Sequence, residues 1–292
     1  MTNTATPAVT PSSPATTSGP ATTPEEAVRR MREKFPFPFY EGHPFDSHVN
    51  IARTVARHLP PGSAVLDFGA GPADKTAVVQ LMGYRCTAYD ELQDSWHLER
   101  DNRQKILKFA EEMGVRYVLA TDRNLPFAPE SFDMFMIHDV IEHLHDSPRD
   151  LFNAVMERVK PGGLMYVTVP NAVNIRKRVD VLRGRTNLPP FGQYYWNQGP
   201  WRGHVREYVK DDLAKLAEYM GLDIVELRSV HHMLHKLPKP ALPVYKVLTN
   251  VFTGWRDTWQ LVARRPANWK PKYTLPKEEL ERLIGYHGYA WE

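Results

Sequence analysis

The sequence predicts an α/β fold, a doubly wound parallel sheet with helices on both faces. Two observations carry the prediction. From about Ser47 onward, apolar runs of strand length alternate with segments of helical spacing. The first of those runs ends at Gly69-Ala70-Gly71, a turn that lets the backbone pass from strand to helix close against a ligand. Right-handed crossovers line up the C-terminal ends of parallel strands, so binding residues are expected along that edge.

Composition narrows the classes. A chain of 292 residues suits one large domain or two small ones. Its 37 basic and 34 acidic residues leave a net charge of +3, which is no strong nucleic-acid signal. A lone cysteine, Cys86, excludes a disulfide scaffold and a multi-cysteine zinc site. No run approaches the ~18 apolar residues of a membrane span. The first residues lack the basic and apolar segments of a secretory signal, so a cytoplasmic protein, at most membrane-peripheral, is expected.

Residues 1–24, almost wholly Thr, Ala, Pro and Ser, bury too little apolar surface to offset ordering and are expected to be a disordered tail. Residues 25–46 read as an N-terminal arm or lid, whose apolar Phe35–Tyr40 segment either packs on the core or covers a pocket. A short charged helix runs from about Pro24 to Lys34, and the prolines of the following Phe35–Tyr40 segment rule out a regular helix or central strand. The domain proper is expected over 47–266, opening with a helix from Val49 to Leu59. Strands are expected at Ala64–Phe68, Tyr84–Tyr89, Val115–Leu119, Phe132–Ile137 and Leu164–Val169. Helices are expected from the glycine turn to about Met82, over Asp101–Met113, and on each side of Ser147-Pro148. Residues 171–208 break the rhythm as an insertion dense in Arg, Tyr, Trp and Pro. A helix over Lys210–Met220, a strand over 223–229, an apolar helix over 241–253 and a strand over Asp257–Ala263 complete the order. Residues 267–292 form a tail, with Leu275–Tyr286 read as a short docking helix.

The glycine turn points to a particular ligand. Gly69 and Gly71 match the first two glycines of a dinucleotide fingerprint, but the third position holds Asp74. Asp67, two residues before the turn, is unwelcome beside a pyrophosphate and suits a ligand bearing an ammonium group. Asp90, ending the second strand, lies where an acid accepts hydrogen bonds from ribose hydroxyls. A nucleoside joined to an amino acid satisfies both acids, and S-adenosylmethionine is such a ligand.

Five blocks in order resemble the class I S-adenosylmethionine-dependent methyltransferases: Leu66–Gly71, Asp90, Leu125-Pro-Phe127 with Ser131-Phe-Asp133, Asp139–Leu144 and Val159–Gly163. The resemblance covers about residues 45–265. It implies a Rossmann-like seven-stranded sheet whose last strand is antiparallel, with S-adenosylmethionine as methyl donor. It also implies an adenine-reading acid four residues before Leu125. That position is Thr121 here, with Asp122 beside it, and both are assigned to the cofactor together with Asp67, Gly69, Gly71, Asp90 and His138.

Asp139, Glu142 and His143 are spaced i, i+3, i+4, which on a helix puts them on one face. With His204 they make a set of two carboxylates and two imidazoles suited to a divalent ion such as Mg2+ or Mn2+. The helix motif resembles that of metal-dependent small-RNA 2′-O-methyltransferases and some quinone-biosynthesis O-methyltransferases, with Asp139 where those have Glu. In the metal-free alternative, Glu142 and His143 order loop and substrate, and His143 or His204 is the general base. Both readings are open.

The resemblance implies that variable segments, here residues 35–46, 171–208 and 231–255, shape the acceptor site. Pro189–Trp201 interleaves aromatic rings with amides, a pattern suited to a sugar and nearly as well to a flat aromatic. The expected activity is therefore O-methylation of a sugar or glycan hydroxyl. The alternatives are a phenol or quinol O-methyltransferase and an RNA 2′-O-methyltransferase. Arg176-Lys-Arg178 with Arg183 and Arg185 is either an anion site or a solvated face. The apolar helix over 241–253 is either a core or homodimer helix or, for a lipid-linked acceptor, a membrane-facing one.

Overall fold

The computed structural model describes residues 22–40, 46–121, 125–186, 188–232, 234 and 237–284. Seven strands form one sheet: β1 (Ala64–Phe68), β2 (Arg85–Asp90), β3 (Arg116–Leu119), β4 (Phe132–His138), β5 (Val159–Pro170), β6 (Asp223–Val230) and β7 (Thr258–Arg264). Their order is β3-β2-β1-β4-β5-β7-β6. The first five pair in parallel, and β7 runs antiparallel to both β5 and β6. Because β5 and β6 oppose the same strand, β6 ends at the same edge as β1, β2, β4 and β5.

Alternation divides the strands between two cores. Val65, Met134 and Met136 face one side, Leu66, Phe135 and Ile137 the other. The first face is covered by α1 (Pro24–Lys34), α2 (Asp46–His58), α3 (Asp74–Leu81) and α5 (Asn102–Glu112), the second by α6 (Pro148–Met156) and α9 (Lys210–Met220). Both faces are dry, which is why these strands read as unbroken apolar runs. Short-range chemistry sets the helix ends: Thr23 accepts from the Glu26 amide ahead of Pro24, Ser147 caps α6 ahead of Pro148, and Gly221 closes α9 with a left-handed backbone.

The arm packs on the core, one of the two roles expected of it: Ala27, Val28 and Met31 of α1 are buried against α2 and α3, and Phe35 stands edge-on to Phe109 of α5. Three expectations change. Phe37 and Phe39 pack edge-on to Trp96 of α4 (Ser95–Leu98), a helix the sequence did not suggest. The helix expected before Ser147 is a three-residue 3-10 turn, Ile141–His143, because Asp139 takes a left-handed φ of 58°. The domain also continues past 266, since Trp269 is buried and its indole donates to the Met220 carbonyl at 2.7 Å. A helix does occupy the tail, α11 (Lys277–Ile284). Residues 1–21, where the disordered tail was expected, lie outside the described residues. No helix among the described residues is long and apolar enough to cross a membrane.

The insertion carries α7 (Ile175–Leu182) and α8 (Phe191–Tyr195), neither with a buried residue. Helix α10 (Leu242–Val251) follows β6 and buries only Tyr245 and Thr249.

Candidate active site at the sheet edge

The glycine turn is held from beneath by β2. The Gly69 amide donates to the Tyr89 carbonyl at 2.8 Å, and the Gly71 amide donates to Asp90 Oδ2 at 2.9 Å. Asp90 Oδ1 accepts from the Leu92 amide at 2.7 Å, so this carboxylate pins the loops after β1 and β2 together. A carboxylate oxygen has two lone pairs, so both oxygens keep acceptor capacity toward ribose hydroxyls. Gly69 and Gly71 have φ of 70° and 50°. A Cβ on Gly69 would stand 2.5 Å from a methyl of Val140, so the turn after β4 lies directly against the glycine turn. Thr121 is exposed just beyond Ala120, whose amide is tied to the Asp90 carbonyl. Asp122 lies outside the described residues.

Asp67 does not present an open carboxylate. It is buried on the α3 face, accepts the Thr76 hydroxyl at 2.6 Å, and burial raises its pKa to about 7. A carboxyl whose folded pKa exceeds its unfolded value contributes stability at low pH that is lost as pH rises through the folded value. Asp67→Asn is therefore expected to match wild type near pH 4 and to melt at a higher temperature above pH 7. Equal melting temperatures for the two proteins at pH 8 would contradict the assignment.

Two residues at the end of β4 also differ from expectation. His138 is buried rather than lining the cofactor turn. Its Nδ1 lies 3.0 Å from Thr168 Oγ1, its ring stands edge-on to Tyr166, and burial lowers its pKa to about 3, leaving it neutral. Asp139 is not grouped with the other proposed ligands. Its carboxylate accepts from Lys75 Nζ at 2.9 Å, and that ammonium, overcoming the cost of burial, holds its pKa low. The left-handed backbone at Asp139 is what turns its side chain out of phase with Glu142. Lys75 was not anticipated. Its signal is a cation at the second residue of a helix, where the macrodipole disfavours it.

The remaining three converge. One ligand atom each from Glu142, His143 and His204 lies within 4.8 Å of the others. Backbone pairing brings them together across the chain: the Glu142 carbonyl accepts from the Val205 amide at 2.7 Å and the Arg206 amide at 3.2 Å. His143 Nδ1 is 2.7 Å from the Arg202 carbonyl, and His204 Nδ1 is 2.8 Å from Glu207 Oε1. Both partners only accept, so each Nδ1 carries a proton and each Nε2 is the nitrogen turned to the cluster; burial lowers the pKa of His204 to about 4, leaving its Nε2 lone pair free. The rings lie 4.8 Å apart and nearly perpendicular. Glu142 is fully buried, and neither carboxylate oxygen has a hydrogen-bond partner among the described residues. Burial, reinforced by the charge of Asp139, raises its pKa to about 8. Lys177 pairs with Glu207 at the rim. The insertion's aromatic segment forms the adjoining wall, with His145 Nε2 2.7 Å from the Trp201 carbonyl and Tyr194 edge-on to Trp201.

Comparison with known proteins bears on the family and the fold. A family model described as a methyltransferase domain matches residues 46–227. An uncharacterized methyltransferase of Mycobacterium sp. strain KMS is 30% identical over 142 residues, 48% of this chain and 52% of that protein. The chain thus spans about half the length of that curated relative. The mitochondrial ubiquinone biosynthesis O-methyltransferase of Dictyostelium discoideum is 22% identical over 62% of each chain. Among solved structures, a SAM-dependent methyltransferase of Methanosarcina mazei superposes with a TM-score of 0.50 at 14% identity, covering 73% of this chain and 97% of that one.

Proposed function

Because this chain belongs to the class I S-adenosylmethionine-dependent methyltransferases, we propose that it methylates a sugar or glycan hydroxyl at the Glu142–His143–His204 cluster. The observation that carries the reading is the buried Glu142 carboxylate, unpartnered beside two imidazoles whose Nδ1 protons are already committed. An isolated buried carboxylate is costly unless it is neutralised or meets a cation. Two imidazoles and one carboxylate on one side of an ion leave positions open for substrate oxygens. Glu142, His143 and His204 would hold Mg2+ or Mn2+, and Asp139, bound to Lys75, is left out of that set. When bound, such an ion lowers the pKa of a coordinated hydroxyl and favours acceptors with two neighbouring oxygens.

The chain's own residues supply the rest. The glycine turn admits the methyl donor close to the backbone, Asp90 offers acceptors to its ribose, and the Val140 contact sets the distance between donor turn and ligand cluster. The carbonyl of Arg202 and the carboxylate of Glu207 fix the two rings. Trp201 and Tyr194 offer faces on which the apolar side of a sugar stacks. In-line displacement then aligns the hydroxyl oxygen behind the methyl group: the O–C bond forms as the S–C bond breaks, the sulfonium leaves as the neutral thioether, and the hydroxyl proton passes to solvent or to an imidazole Nε2.

A second acceptor class is favoured by the relatives. The Dictyostelium protein is named for ubiquinone biosynthesis, and a 34% identical protein over 37% of this chain is a demethylmenaquinone methyltransferase of Corynebacterium glutamicum. A quinol or catechol offers the same pair of neighbouring oxygens. Isotope-labelled methyl donor supplied with saccharides, catechols and RNA ends separates the readings. Label is expected in a saccharide carrying adjacent hydroxyls. Label confined to catechols would move the acceptor to the quinol class, and label confined to RNA ends would reject both.

A further inference from the structure

We propose that the face formed by α7, α8 and α10 docks on an anionic lipid surface. The strands β5 and β6 that lead into these helices end at the edge bearing the active site. Asp257 joins two of them: it accepts the Tyr245 hydroxyl of α10 at 2.5 Å and lies 3.9 Å from the Arg176 guanidinium of α7. Helix α10 divides sharply. Tyr245 and Thr249 are buried, while Val244, Val247 and Val251, spaced to share the opposite face, are 62%, 64% and 69% exposed. In the insertion Leu182 at the end of α7 is 87% exposed, and Phe191 and Trp196 on and after α8 are 72% and 79% exposed.

Charge names the occupant. Arg176, Lys177, Arg185, Arg202 and Arg206 are offset by acids, but Arg178 and Arg183 of α7 and its C-terminal end, and Lys239 and Lys246 at and on α10, are exposed and without an ion pair among the described residues. These two helices therefore present cations with no acid to offset them. A second copy meeting it symmetrically would set like charge against like. A nucleic acid would use the cations and the rings but not exposed valine and leucine, which cannot stack on bases. A bilayer interface uses all three: aliphatic side chains at the acyl boundary, Trp and Phe at headgroup depth, and Arg and Lys against anionic lipid. An interfacial helix of ten residues needs no span. Docking turns the open edge of the site toward the bilayer, where a lipid-carried acceptor would be presented. The docking stands independently of which hydroxyl is methylated.

The test is co-sedimentation of the full chain with phosphatidylcholine vesicles and with vesicles containing 30% phosphatidylglycerol. Binding to the anionic vesicles is expected to be about tenfold stronger or more, with a blue shift of tryptophan emission, and to weaken at high salt. Val247→Asp with Val251→Asp should abolish it while S-adenosylmethionine binding and melting temperature are kept. Leu182→Asp with Trp196→Ser, on the neighbouring helices, should do the same independently. Absence of vesicle binding overturns the proposal, as does binding unchanged in both double variants. Retention of a single-stranded RNA oligonucleotide, or dimers dissolved by Val247→Asp with no vesicle binding, would reassign the face to nucleic acid or to a second copy.

Discussion

Replacing His143 by alanine is expected to lower turnover by about a hundredfold or more while S-adenosylmethionine binding changes by less than about twofold. The ring lies outside the glycine turn and touches none of the groups that pin it. Its Nδ1 is anchored by the Arg202 carbonyl, 59 residues away, so its Nε2 is delivered to one place in one tautomer. Either chemistry open to the site uses that lone pair, as a metal ligand or as a base. His143→Ala should also leave melting temperature nearly unchanged, because the ring is partly exposed and belongs to neither core. Glu142→Gln is expected to give the same kinetic loss, with a rise in melting temperature that is complete only above about pH 8, where it removes a buried, unpartnered carboxylate charge. Steady-state turnover, cofactor titration and thermal melts read all three quantities. Full activity in His143→Ala would remove both catalytic roles at once.

Gly69→Ala is expected to cost about 2–5 kcal/mol of stability and to abolish cofactor binding. Two effects add. The φ of 70° is left-handed, which costs roughly 1–2 kcal/mol for a residue bearing a Cβ. The new methyl would also stand 2.5 Å from Val140, and forcing a group into a packed contact typically costs about 1–3 kcal/mol. Val140→Ala in the same chain relieves the second effect and not the first. The double variant should therefore recover part of the stability, a coupling measurable by a double-mutant cycle. Additive losses would mean that the turn after β4 does not rest on the glycine turn.

The parts legible in the sequence and the parts that were not divide along physical lines. Strands buried on both faces announce themselves as apolar runs, and caps such as Ser147-Pro148 and Gly221 mark helix ends through local chemistry, so the sheet and its helices could be read. The Asp139–Glu142–His143 face could not. Helical spacing places three side chains together only if every intervening residue is helical, and one left-handed residue at Asp139 rotates it onto Lys75. Aspartate tolerates that conformation better than most residues, so the hint was present but weak. The approach of His204 to Glu142 depends on backbone pairing between segments about sixty residues apart, which leaves no local pattern. His204 was found through residue chemistry, whereas its anchor, Glu207, was not. Strand alternation carries His138 into the core beneath Thr168, on the same face as Met134 and Met136.

The most direct measurement is methyl transfer to a saccharide bearing adjacent hydroxyls, before and after EDTA, with Mn2+ or Mg2+ then restored and binding of the ion followed separately by calorimetry. The expected result is loss of transfer on chelation, recovery on adding the ion, and ion binding that disappears in His204→Ala. Transfer indifferent to EDTA, with no heat of ion binding in the wild-type protein, would contradict the metal-holding role of Glu142, His143 and His204 and leave a histidine base in its place.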